Sequence, residues 1–135
     1  MSADDVVSRE IVLTWRRFRK MTEARDSFAD VPSVYVQTDN RGVPVRVGET
    51  SVGLESRYRG GNAFALDAAM HNSGNLVFVA GVPEGLSGEI EKELIWRERQ
   101  TLVYNNEHKS NPPPRRMRIR HEGERPRFSD TEAQE

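Results

Sequence analysis

Cysteine is absent from the 135 residues of this chain. Disulfides, thiol nucleophiles and thiolate-bound zinc are therefore excluded from any account of it. No apolar run approaches the roughly 18 residues that a membrane-spanning helix requires. The N-terminus, Met1-Ser2-Ala3-Asp4-Asp5, is acidic where a secretory leader is basic and then apolar. A soluble, cytoplasmic protein without membrane contact is the expectation. Aromatics are few, at 7%, and the hydrophobic fraction of 36% is low beside 30% charged residues. Such a chain supports one modest core with exposed extensions, not two independent domains.

The formal net charge is only -1, but charge is segregated along the chain. Arg16, Arg17, Arg19 and Lys20 form one basic cluster, while Lys109, Arg115, Arg116, Arg118, Arg120, Arg125 and Arg127 form another. Acidic residues gather at the two ends. Segregation of this kind leaves room for a phosphate-binding surface that the overall charge conceals.

Three segments follow from local pattern: an N-terminal amphipathic helix within 1–31, a compact domain over 32–108, and a basic, flexible Pro/Arg-rich tail over 109–135. Val7, Ile11, Trp15, Phe18 and Met21 recur at helical spacing with basic residues opposite. That predicts a helix from about Asp5 to Arg25, whose apolar stripe would dock on the domain or pair two copies of the chain. Strands are expected at Ser33 to Thr38 and Val43 to Gly48, joined by Asp39-Asn40-Arg41-Gly42, residue types that tolerate tight turns. Strand alternation sets Val34 and Val36 against Tyr35, and Val45 and Val47 against Arg46. Short helices are expected from Thr50 to Arg59 and from Asn62 to His71, a buried strand at Leu76 to Ala80, and a helix from Ser87 to Gln100. Pro112-Pro113-Pro114 opens the tail as a semi-rigid spacer.

Read in order, Val34-Tyr35-Val36, Val45-Arg46-Val47-Gly48, Arg57, Glu91-Lys92-Glu93-Leu94-Ile95 and Tyr104-Asn105 resemble the motifs of the GIY-YIG nuclease superfamily. The likeness spans about residues 33 to 106. It implies a small α/β (α+β) fold, with an antiparallel sheet of about three strands flanked by helices, here extended by the N-terminal helix and the basic tail. It further implies a metal-dependent endonuclease that hydrolyses phosphodiester bonds in DNA with one Mg²⁺ or Mn²⁺.

Matched to the motifs, Glu91 is the implied metal ligand and Arg57 the implied support for charge on the phosphate. Tyr35 would position the attacking water, and Asn105 would order the base of the site. The second-motif Tyr is replaced by Arg46, which stays protonated and cannot act as a general base. The position about one turn beyond Arg57 falls on Gly61, where the family commonly carries His or Tyr. Tyr58 and His71 are the nearest residues in sequence able to fill the proton-handling role, and Arg46 could instead hold a phosphate. Arg46, Arg59, Arg115, Arg116, Arg118 and Arg120 are the expected nucleic-acid contacts.

Two rivals stand beside the nuclease. One is a catalytically impaired nucleic-acid-binding or regulatory module on the same fold, favoured by Arg46. The other is a protein-protein adaptor that uses the Trp15 face. Taken singly, each residue also has an ordinary structural role: Tyr35 as a packed strand residue, Glu91 as a solvated helix position, Asn105 as a loop residue and the arginines as a solvated tail.

Overall fold

A computed structural model describes residues 10–19, 21–57, 76–103, 105 and 107–129. The elements, in chain order, are β1 (Glu10–Phe18), α1 (Met21–Ser27), β2 (Ser33–Thr38), β3 (Pro44–Thr50), α2 (Leu54–Arg57), β4 (Leu76–Gly81), α3 (Ser87–Glu98) and β5 (Arg118–Gly123). The strands form one five-stranded sheet in the order β3-β2-β4-β1-β5. All neighbours are antiparallel except β1 and β5, which run parallel. Among the described residues, no helix is long and apolar enough to cross a membrane.

Two expectations are overturned here. The sheet has five strands instead of about three, and the predicted N-terminal helix is the strand β1 followed by the short α1. Residues four apart share a face in a helix and in a strand alike, so Ile11 and Trp15 do not discriminate. Leu13 does: it is fully buried beside them, while Val12, Thr14 and Arg16 are exposed, which is a period of two. The β-branched and aromatic residues of this stretch suit a pleated strand. Trp15, expected on a docking or dimerisation stripe, is core.

The basic tail is likewise structured in its middle. Met117, Ile119, His121 and Phe128 are buried, and β5 pairs with β1 in the register Glu10–Arg118, Val12–Arg120 and Thr14–Glu122.

The hairpin, β4 and α3 lie close to their expected positions. Asp39 builds the turn between β2 and β3, accepting hydrogen bonds on Oδ1 from the backbone N–H groups of Arg41 (2.8 Å) and Val43 (3.0 Å). Gly42 completes it at φ 87°. Interior strand β2, between β3 and β4, is buried along its whole length. On one sheet face, Val34, Val36, Val47, Phe78, Ala80 and the β1 residues Ile11, Leu13 and Trp15 pack against Ile90, Leu94 and Ile95 of α3. On the other, Tyr35, Val77, Val79 and Phe18 pack against Ala24 of α1 and Leu54 at the start of α2. Gly53 joins the layers by close approach: at φ 133°, a Cβ there would stand 1.9 Å from the carbonyl oxygen of Ala29.

Because Ile119 is a core residue and not part of a loose tail, Ile119→Ala is expected to lower stability by about 2–4 kcal/mol in urea unfolding. A flexible tail would register no change.

Candidate nucleic-acid interface

The hairpin fixes the first group of motif residues. Tyr35 lies directly opposite Gly48 across the β2–β3 ladder, and Gln37 opposite Arg46. The Tyr35 ring fills the space over Gly48 so closely that a Cβ at position 48 would meet its Cζ and Oη at 2.2 Å. Glycine at 48 is thus a steric requirement of the tyrosine. Tyr35 is wholly buried, while Arg46 is half-buried on the same face, and both are engaged within the chain.

Asn105 reaches the same hairpin from its outer edge. Its Oδ1 accepts from the Val47 N–H at 2.8 Å and its Nδ2 donates to the Val47 carbonyl at 2.9 Å. The side-chain amide thereby substitutes for a neighbouring strand at one residue of β3.

Glu91 lies on α3, half-buried and already engaged within the chain. The helix packs on the face that carries Val34 and Val36, opposite the face of Tyr35 and Arg46. The motif residues are therefore divided between the two sides of the sheet, with Asn105 at its rim. Arg57 ends α2, but its side chain, like all of Tyr58, Arg59 and His71, lies outside the described residues.

The carboxylate that dominates α3 is Glu93, which motif matching passed over. It is fully buried and receives Arg97 Nε at 2.7 Å, Arg116 Nη2 at 2.9 Å and Arg116 Nε at 3.0 Å. Arg97 also donates through Nη2 to the Met117 carbonyl at 2.5 Å. The i,i+4 spacing of Glu93 and Arg97 was the available sequence signal; nothing local announced Arg116. Burial alone would raise the Glu93 pKa, but hydrogen bonds from Arg116 and Arg97, reinforced by their charges, hold it below the usual glutamate range. Arg116, among the expected nucleic-acid contacts, is thereby tied to the scaffold, with its side chain still 48% exposed.

The remaining cations sort themselves by partner. Arg125 Nη1 donates to the His121 carbonyl at 2.7 Å. Arg120 Nε stands 3.4 Å from Glu122, both side chains well exposed. Arg115, Arg118, Arg16 and Arg17 are exposed and, among the described residues, carry no ion pair. Parallel pairing of β5 with β1 puts Arg16, Arg118 and Arg120 on one face, the face of Tyr35 and Arg46. That adjacency was invisible in sequence, where the two basic clusters lie a hundred positions apart. At the far end of β1, Arg16, Arg17, Phe18 and Arg19 line an open groove of about 550 Å³, with Glu23, Asp26 and Glu124 on its other wall. The Arg16 guanidinium sits 5.1 Å from the centroid of the Phe18 ring.

The Glu93 cluster yields a pH-dependent expectation. A carboxylate whose folded pKa is depressed contributes stability that is present above the ordinary glutamate range and lost as pH falls through the folded value. Glu93→Gln should therefore cost about 2–4 kcal/mol at neutral pH. Its stability should converge with that of the wild type in acid, as followed by urea midpoints across pH. No family model, curated protein or solved structure matches the chain.

Proposed function

We propose that this protein binds nucleic acid, DNA in the first instance and in the cytoplasm, through its phosphate backbone on the outer sheet face built by β1 and β5. The observation that carries the reading is the juxtaposition of Arg16, Arg118 and Arg120 on adjacent parallel strands, exposed to solvent. From the Arg118 row to the Arg16 row the face extends about 20 Å along the strands. Arg16 and Arg118 have no ion pair among the described residues. The Arg120–Glu122 pair is exposed, and a surface pair of that kind is worth little against a phosphate. Planar guanidinium forks suit phosphate oxygens better than an ammonium does. Guanidinium contacts to phosphate oxygens carry no base information, so binding on this face is of the backbone kind, indifferent to sequence.

Such binding is read by its salt dependence. Fluorescence anisotropy with a labelled duplex should give a log–log salt slope that becomes shallower by about 1 for each of Arg16→Ala and Arg118→Ala, whatever the duplex sequence. An unchanged slope in both variants would remove the sheet face from the reading.

A second reading, hydrolysis of the bound phosphodiester, is favoured by one specific observation: Tyr35, Gly48 and Asn105, three of the positions shared with the GIY-YIG motifs, meet on one hairpin. In this reading Glu91 would hold the metal, since a half-buried carboxylate is a hard oxygen donor suited to an ion that keeps most of its waters. When bound, the ion would offset charge developing on the phosphate. Arg46 lies on the opposite sheet face from the Glu91 helix and, always protonated, leaves proton transfer to another group. Incubation of supercoiled plasmid with Mg²⁺ or Mn²⁺ separates the readings. Nicking by the wild type that is lost in Glu91→Ala supports hydrolysis, whereas salt-sensitive binding without nicking leaves the binding module alone.

A further inference from the structure

A second polar site lies away from the cationic sheet face, where α3 meets the segment that leads to β5. Lys92, His108, Ser110, Asn111 and the run Pro112–Pro114 enclose a hollow of about 320 Å³. No lining residue is acidic. Lys92, Ser110 and Asn111 make no side-chain hydrogen bond or ion pair among the described residues, so their donors are available to a ligand. His108 Nε2 stands 3.6 Å from the Glu107 carboxylate, which is 84% exposed and therefore strongly screened by solvent.

The walls are held in place from outside the hollow. Lys109 Nζ donates to the carbonyls of Leu102 at 2.8 Å and Asn105 at 2.9 Å, closing the turn that leaves α3. Arg116, on the far side of the prolines, is bolted to buried Glu93, the helix neighbour of Lys92. Between these anchors His108 adopts φ 65°, the one non-glycine residue with positive φ among those described. That conformation is unfavourable for a side chain and persists only where the surroundings impose it. The proline run removes further freedom from the rim. A preformed hollow of this kind loses little entropy on binding.

We propose that this hollow is an anion site for a phosphate monoester. Its lining residues carry an ammonium, an imidazole, a hydroxyl and a carboxamide, donor types matched to the acceptor oxygens and double charge of such a group. The proline wall faces the body that carries the phosphate. The site is independent of nucleic-acid binding on the sheet face and stands whether or not that reading holds.

Titration of the ¹⁵N-labelled full chain with inorganic phosphate, and separately with a nucleoside monophosphate, tests it. Saturable amide shifts are expected at His108, Ser110 and Asn111 at millimolar ligand or below. Tighter binding of the nucleotide than of phosphate would show that the organic body is also recognised, and equal affinity that the phosphoryl group alone is read; either supports the site. Lys92→Ala should weaken binding at least tenfold. His108→Gly, which relieves the backbone conformation while removing the imidazole, should weaken it several-fold without lowering the thermal midpoint. Arg118→Ala should leave it unchanged. Absence of saturable shifts, undiminished affinity in Lys92→Ala, or shifts on β1 and β5 instead would overturn the assignment. The last outcome would leave the cationic face as the phosphate-binding surface.

Discussion

A single buried carboxylate governs how the C-terminal third of this chain joins the rest. Glu93 has no exposed surface, and an ionised carboxyl in that position is tolerable only when its oxygens are fully engaged. Arg97, one turn along α3, supplies a partner from the same helix, and Arg116 supplies the second from beyond the proline run. Arg97 then extends to the Met117 carbonyl, so the same cluster sets the backbone immediately before β5. The helix, the loop and the fifth strand are coupled through one charge. Any rearrangement that releases β5 leaves Glu93 buried against fewer cations, which is the costly state.

Downstream contacts depend on that placement. Trp15 Nε1 donates to His121 Nδ1 at 2.9 Å inside the core, which requires the unprotonated nitrogen of the imidazole to face the indole. His121 stacks on Phe128 with ring centroids 4.1 Å apart, and Phe128 leans on Trp15 at 5.5 Å. Glu98 at the end of α3, also buried, accepts from both the backbone N–H and the hydroxyl of Ser129. These polar contacts all join residues distant in sequence, and each would be unsatisfied if the final segment were detached. The arginines exposed on β5 are therefore held in a fixed array beside Arg16, not scattered along a loose tail, and their spacing is a property of the fold.

What was legible in the sequence follows the range of the interactions involved. The hairpin was legible because Asp39 and Gly42 determine a turn within four residues, and α3 because its apolar stripe repeats locally. Strand β1 was misread through an ambiguity of period. Ile11 and Trp15 satisfy both helix and strand, and Leu13, buried between them, decides for the strand. Strand β5 was hidden because Arg118, Arg120 and Glu122 give the segment the composition of a solvated tail, although Met117, Ile119 and His121 alternate with them. The parallel partner that buries those three lies more than a hundred residues away. At the candidate site, motif spacing picked out Tyr35 and Gly48, which face each other across the hairpin, and Asn105, which bonds to its outer strand from the loop beyond α3. It also drew attention to Glu91 at the expense of Glu93, because burial of a carboxylate depends on cations brought from elsewhere in the fold.

The arginines illustrate why composition alone ranks such residues poorly. Arg97 and Arg116 neutralise an interior charge, Arg125 closes a carbonyl of β5, and Arg41 fastens the turn to Asp39. These are structural, and their removal would damage the scaffold before it affected any ligand. Among the described residues Arg118 has no such internal employment and Arg16 only its ring contact with Phe18, yet both stand on strands whose inward residues are locked in the core. Rigid backbone beneath a free guanidinium is the arrangement that lets a long side chain lose little entropy when it meets a phosphate. The near-neutral charge of the whole chain does not oppose this. The field a phosphate meets is set within about one Debye length, about 8 Å at physiological salt, where Glu10, opposite Arg118, and Glu122, beside Arg120, offset part but not all of the charge of the arginines.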